Sequence, residues 1–257
     1  MGVEYDGTAF HGWQAQEPGV RTLQSVLEQG IARVADHPIR VHCAGRTDAR
    51  VHALEQVIHF DAQAIRSDRA WVLGSNVNLP PDCCVRWARP VDAAFHARFA
   101  ATARHYRYRI LNRPTRSSLQ RDRALWVPQA LDLGRMREAA SFLVGEHDFT
   151  SFRAVACQAK SPVRQVHYLG LESHWGLIEL RIGANGFLHH MVRNIVGVLL
   201  AIGRGEAATD WTRELLAVRD RTLGGVTAPP QGLYFVRADY PPTFDLPQLP
   251  LDYLDPV

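Results

Sequence analysis

Strand-patterned and helix-patterned segments alternate along this chain, and the alternation runs twice. That doubling constrains the fold more than any composition figure. In the first round an extended stretch at residues 3–5 leads into a turn rich in glycine and aromatics, YDGTAFHGWQ. Leu23, Val26, Leu27, Ile31 and Val34 then recur at helical spacing, with Thr22 placed as the N-cap. Residues 39–43 and 56–60 read as strands around the loop 45–53. Residues 67–76 read as a helix that stops before Pro80 and Pro81, and residues 85–87 open another extended run. The second round starts with a period of two over residues 104–111. Tyr106, Tyr108 and Ile110 share one face, and His105, Arg107 and Arg109 the other. A helix near 133–143, strands near 163–172 and 177–184, helices over 188–202 and 211–218, and a strand over 232–238 follow. Short strands at hairpin spacing with few long crossovers predict an α+β fold with antiparallel sheets. The expected organisation is one domain over residues 1–103, a second over 104–240, and an extended Pro-rich tail over 241–257.

A chain of 257 residues can bury a core without a disulfide or metal staple. Its four cysteines form no CxxC pair and read as buried thiols. The apolar run at 195–202 is too short to span a bilayer. The first residues lack the basic start and apolar stretch of a secretion signal, so a cytoplasmic protein is expected. Net charge is only +3, but its placement is uneven. From Arg98 to Arg123 there are eight arginines and one acid, a local charge of +7. Lys160 is the only lysine among 29 basic residues, and arginine is the better bidentate phosphate ligand.

Three segments carry candidate chemistry. The first is the loop Gly45-Arg46-Thr47-Asp48, where Arg46 and Arg50 flank Asp48. Nearby guanidinium groups favour an ionised carboxylate, which can serve as nucleophile or base; an Asp in such a turn also suits an Asx-turn or helix cap. The second is His105-Tyr106-Arg107-Tyr108-Arg109. Rings that stack on bases beside guanidiniums that hold phosphates suit RNA; an amphipathic strand with a solvated arginine face fits the same pattern. The third is FLHHMVRN at 187–194. Adjacent histidines on a helix diverge by about 100°, and HExxH spacing is absent, so no metal is expected. Arg193, set among apolar helix residues, needs a carboxylate partner, and Asp48 is one candidate; an arginine snorkelling at the edge of the core is the other reading.

Taken in order, these segments resemble the family of tRNA pseudouridine synthase A from Tyr5 to about Tyr240. YDGTAFHGWQ matches the opening signature, and GRTDARVHA at 45–53 the catalytic loop, usually GRTDAGVHA. HYRYRI, GEHDFTSF, SPVR, FLHHMVRNIVG and APPQGLYFV complete the set. The resemblance implies two similar α+β domains whose sheets join side by side, helices on one face, and a basic cleft between them. It implies a homodimer that binds tRNA and converts uridine to pseudouridine at positions 38, 39 and 40 of the anticodon stem-loop, without a cofactor. It places Asp48 on the nucleophile, Tyr106 on the tyrosine that stacks on the target base, Arg193 on the arginine that pairs with the nucleophile, and Arg46 on the arginine that helps extrude the base. Attack on the ribose and attack on the uracil ring both remain open. Arg50 departs from the family, standing where glycine is usual; a side chain there is strained if that position needs φ > 0. Two other readings compete. One is a non-catalytic RNA-binding protein on the same fold. The other is a glycosidase, which needs a second carboxylate, and no other acid has a claim like that of Asp48.

Overall fold

The computed structural model describes residues 1–251. The chain forms two compact units, one from Met1–Arg104 together with residues from Tyr234 onward, the other from His105–Leu233.

The first unit contains β1 (Gly2–Tyr5), α1 (Leu23–Ala35), β2 (His42–Cys43), β3 (His52–His59), α2 (Asp68–Asn78) and β4 (Cys83–Trp87). β1 pairs antiparallel with both β3 and β4. Thr22 caps α1, its hydroxyl accepting from the Ser25 N–H, and Ser67 caps α2 in the same way. Leu23, Leu27 and Ile31 of α1 are buried, as their spacing predicts. The strand expected at 39–43 shrinks to His42–Cys43, paired antiparallel with β3. The Val41 N–H is taken instead by the Glu28 carboxylate of α1, at 3.0 Å.

The second unit contains β5 (Ala103–Asn112), β6 (Leu125–Val127), α3 (Leu133–Ser141), β7 (Gly145–Asp148), β8 (Val163–His174), β9 (Leu177–Ala184), α4 (Met191–Gly203) and α5 (Trp211–Val218). Its strands run in the order β5-β9-β8-β7. β8 and β9 form an antiparallel hairpin. α3 packs on α4 and on β8. α4 is buried along most of its length, which its apolar sequence anticipates. It starts at Met191 rather than 188, so His189 and His190 precede the helix, their rings 4.0 Å apart.

β10 (Leu233–Asp239) belongs with the first unit, because Tyr234 and Phe235 pair with His52 and Ala53 of β3. Their place in the sequence assigns residues 234–240 to the second domain, and this pairing corrects that assignment. The pairing is parallel, as is that of β6 with β5, so the expected antiparallel sheets are mixed. A parallel partner reached from a distant segment leaves no hairpin signature to read. The tail is not simply extended. Leu249 joins a buried cluster with Leu54, Tyr234 and Val236, and its N–H donates to Glu55 Oε1 at 3.0 Å. The expected tail residues 252–257 lie outside the described residues. Of the cysteines, Cys43 and Cys83 are buried, whereas Cys84 and Cys157 are partly exposed. Burial pushes both buried thiols up to about 12, which keeps them protonated and inert. Among the described residues no helix is long and apolar enough to cross a membrane.

Candidate active site

The loop between β2 and β3 is clamped at three points. At its start, Gln56 of β3 donates to the Gly45 carbonyl at 2.6 Å and accepts from the Gly45 N–H at 3.3 Å. At its centre, the Thr47 hydroxyl meets Tyr5 Oη at 2.8 Å, and the Thr47 carbonyl accepts from the Trp13 N–H at 2.9 Å. At its end, the Val51 N–H closes a turn on the Asp48 carbonyl, and the Arg50 N–H donates to the Phe10 carbonyl, both at 3.2 Å. Thr47 is buried, Asp48 half-buried, and Arg46 and Arg50 exposed. Asp48 begins no helix among the described residues, so the helix-cap reading falls.

Arg50 occupies the third position of that turn with φ +66. This is left-handed backbone, which glycine adopts freely and a side-chain-bearing residue only at a cost. The glycine that the resemblance leads one to expect here would be free of that cost, and this chain holds an arginine in its place.

The opening segment YDGTAFHGWQ turns out to be the floor of the loop. Gly12 has φ +89, and a Cβ there would lie 3.1 Å from both Ala49 N and Thr47 O. A Cβ on Gly7 would fall onto the Val51 carbonyl. Asp6 and His52 brace the same corner. His52 Nδ1 lies 3.2 Å from Asp6 Oδ1 and 3.1 Å from the Gly7 nitrogen. The ring serves one at a time: with Nδ1 protonated it donates to Asp6, otherwise it accepts from Gly7. The hydrogen bond with His52, followed by those from Thr8, holds the Asp6 carboxyl well below the usual carboxylate range. Sequence reasoning does not single out Tyr5, Gly12 or His52 as site residues. The glycine density of the opening signature is the signal that points to a close backbone approach.

Tyr106 and Arg193 lie in the second unit. Tyr106 on β5 is half-buried and meets Phe187 edge to face, with centroids 5.0 Å apart. Arg193, in the first turn of α4, donates from Nε to the Ala228 carbonyl at 2.8 Å. A backbone carbonyl thus takes part of the role expected of a carboxylate. The next residue, Pro229, accepts from Tyr108 Oη at 2.7 Å. One short segment therefore ties the arginine on α4 to the strand that carries Tyr106. Gly197 allows this, because a Cβ there would strike the Val226 carbonyl.

The arginines interleaved with the tyrosines do not form an RNA-facing or solvated face. Arg107 is fully buried and Arg109 nearly so. Both reach Glu179 of β9, at 3.2 and 3.4 Å, and Arg181 joins the same carboxylate at 2.7 Å. Arg104 donates to backbone carbonyls of Ala101, Ala44 and Arg98. The positive segment Arg98–Arg123 thus divides into structural arginines and exposed ones, of which Arg113, Arg116, Arg121 and Arg123 are exposed.

Comparison with known proteins agrees with these features. The profile of a family described as tRNA pseudouridine synthase matches residues 1–100 and 139–241. A tRNA pseudouridine synthase A of Nitrosococcus oceani is 57% identical over 249 residues, covering 97% of this chain and 96% of that protein. The protein of the same name from Pseudomonas aeruginosa is 56% identical, covering 96% of this chain and 87% of that one. The corresponding Methylococcus capsulatus protein is 54% identical, covering 96% and 90%. The clamped GRTD loop, its glycine floor and the tyrosine strand are thus the features of a chain that belongs to the tRNA pseudouridine synthase family.

Proposed function

We propose that this protein isomerises uridine to pseudouridine in the anticodon stem-loop of tRNA, at positions 38, 39 and 40, with Asp48 as nucleophile. The observation that carries the reading is the Asp48 loop itself, a carboxylate on a turn clamped from β1, from β3 and from the opening segment. Pre-organisation of this kind lets a side chain act without reordering at each turnover. The target uridine must leave the stack before its glycosidic bond is reachable. Arg46, exposed two residues before Asp48, helps extrude it, and Tyr106 stacks on the base. Arg193 pairs with the Asp48 carboxylate and keeps it ionised. Asp48 attacks the flipped nucleoside at ribose or ring, and the bond from N1 to C1′ breaks. The uracil turns and C5 bonds to C1′; C5 then loses its proton while N1 gains one. Atoms and electrons balance without a cofactor. Two sheets joined side by side around a basic cleft, a homodimer that holds the tRNA, and a cytoplasmic setting belong to the same reading, and the family resemblance supports them.

Release of tritium from tRNA labelled at C5 of uridine tests the assignment. Wild type is expected to release label, and Asp48→Ala and Asp48→Asn to release none. A wild-type protein that releases no label overturns the function; full activity in Asp48→Ala overturns the mechanism.

A further inference from the structure

We propose that loop 113–123 and the hairpin tip at Trp175 form a second RNA-binding surface, which grips tRNA outside the nucleotide being isomerised. This inference rests on the functional reading above.

The loop, RPTRSSLQRDR, carries four arginines and one aspartate, a net charge of +3. All four arginines are exposed. The loop is held in shape by its own bonds. Arg113 donates to the carbonyls of Thr115 and Arg116, at 2.9 and 3.1 Å, and Trp126 Nε1 donates back to the Arg113 carbonyl at 2.9 Å. At its root, Asn112 Nδ2 donates to the carbonyls of Val127 and Gln129.

The turn between β8 and β9 abuts that root. His174 pairs with Leu177, leaving Trp175 and Gly176 as a two-residue connection with φ of +53 and +79. Such turns favour Asn-Gly, because both residues need positive φ. A tryptophan there is disfavoured by its backbone, and its ring is fully exposed at 103%. The Asn112 N–H donates to the Gly176 carbonyl at 2.7 Å, which sets the turn against the residue from which the arginine loop departs. An exposed indole beside a cluster of guanidiniums is chemistry that takes a base face and its phosphates together. The net charge of +3 on the loop, carried by exposed arginines, favours a polyanion as the occupant. Asn112 lies at the far end of β5 from Tyr106, about 20 Å along the strand. The surface is therefore too far from Tyr106 to touch the flipped base, yet within the span of one folded RNA.

The test compares wild type with Arg116→Glu, Trp175→Asn and the double variant. Both positions are exposed, and asparagine suits the turn. Binding of intact unmodified tRNA is measured across a salt series, together with the sedimentation of each protein. In the double variant the Kd is expected to rise about tenfold, with kcat unchanged. The salt slope should become shallower by about 0.7–0.9 for each phosphate that the protein no longer neutralises. Sedimentation should not change. An unchanged Kd overturns the proposal. A weaker Kd accompanied by a change in sedimenting mass also overturns it, since the surface then belongs to a protein interface. Pseudouridine formation is scored in the same preparations. Its absence from wild type overturns the functional reading, while the binding comparison still decides this surface.

Discussion

The hydroxyls of Tyr5 and Thr47 lie 2.8 Å apart, both residues buried, and they tie β1 to the residue before Asp48. Tyr5→Phe keeps the ring and leaves the Thr47 hydroxyl short of that partner. A loss of about 1 kcal/mol is expected from urea unfolding. Since small displacements of a reacting group are costly, kcat should fall about tenfold with little change in KM. Unaltered kcat would show that the clamp does not position Asp48.

Arg50 supplies a prediction of opposite sign. Left-handed backbone costs a side-chain-bearing residue about 1–2 kcal/mol. Glycine relieves that cost but gives back about 0.5–1 kcal/mol of unfolded-chain entropy. Arg50→Gly is therefore expected to be slightly more stable than wild type, by about 0.5 kcal/mol. Arg50→Ala, which keeps the Cβ, should show no gain. Equal melting temperatures for the two variants would mean the strain is relieved elsewhere.

Glu179 is the common acceptor for Arg107, Arg109 and Arg181. Removing the carboxylate leaves buried guanidiniums without their counter-charge. Glu179→Ala is expected to lose about 3–5 kcal/mol in chemical denaturation, with Glu179→Gln less affected because it still accepts hydrogen bonds. A loss below about 1 kcal/mol in the alanine variant would mean that water or a relaxed neighbour satisfies the arginines.

The imidazoles of His42, His59 and His96 cluster in the first unit, with centroids 4.5 to 5.5 Å apart. His59 Nδ1 accepts from the Ala97 N–H at 3.2 Å. Desolvation, then the neighbouring histidines, lower His59 to about 4. A base whose folded pKa lies below its unfolded value binds fewer protons when folded. Its contribution is full above the unfolded pKa near 6.5 and declines as pH falls toward 4. The ring is half exposed, so a modest loss of about 1 kcal/mol between about pH 6.5 and 4.5 is expected. His59→Gln should flatten the urea midpoint across that window; an identical slope in the variant would assign the acid sensitivity to other groups.

These residues also show what can be read in the sequence. The Thr22 cap and the stripe of α1 are legible because each is set by neighbours within a turn. The period of two at residues 104–111 correctly groups Arg107 with Arg109. It cannot show that the face is covered, because Glu179 arrives from a strand that follows much later in the chain. The same blindness to distant partners hides the parallel pairing of β10 with β3. In the candidate site, Asp48, Arg46, Tyr106 and Arg193 are proposed from the family resemblance. The floor beneath the loop is not legible, since Gly12 acts through backbone proximity and the Tyr5 hydroxyl through a partner 42 residues away, which no local side-chain pattern announces. At Arg50 the sequence poses the question of positive φ, and the turn answers it.

The pairing of β10 with β3 also bears on how the molecule comes into being. The two strands are far apart in the chain, with the whole second unit synthesised between them. On the ribosome, the second unit can assemble from local contacts as it emerges. In the first unit β1 can already pair with β3 and β4, but β3 lacks this neighbour until β10 emerges. The loop bearing Asp48 leads directly into β3 and is thus among the late parts of the molecule to reach its final support. In a nascent chain the second unit would thus be complete before the first has received its final strand.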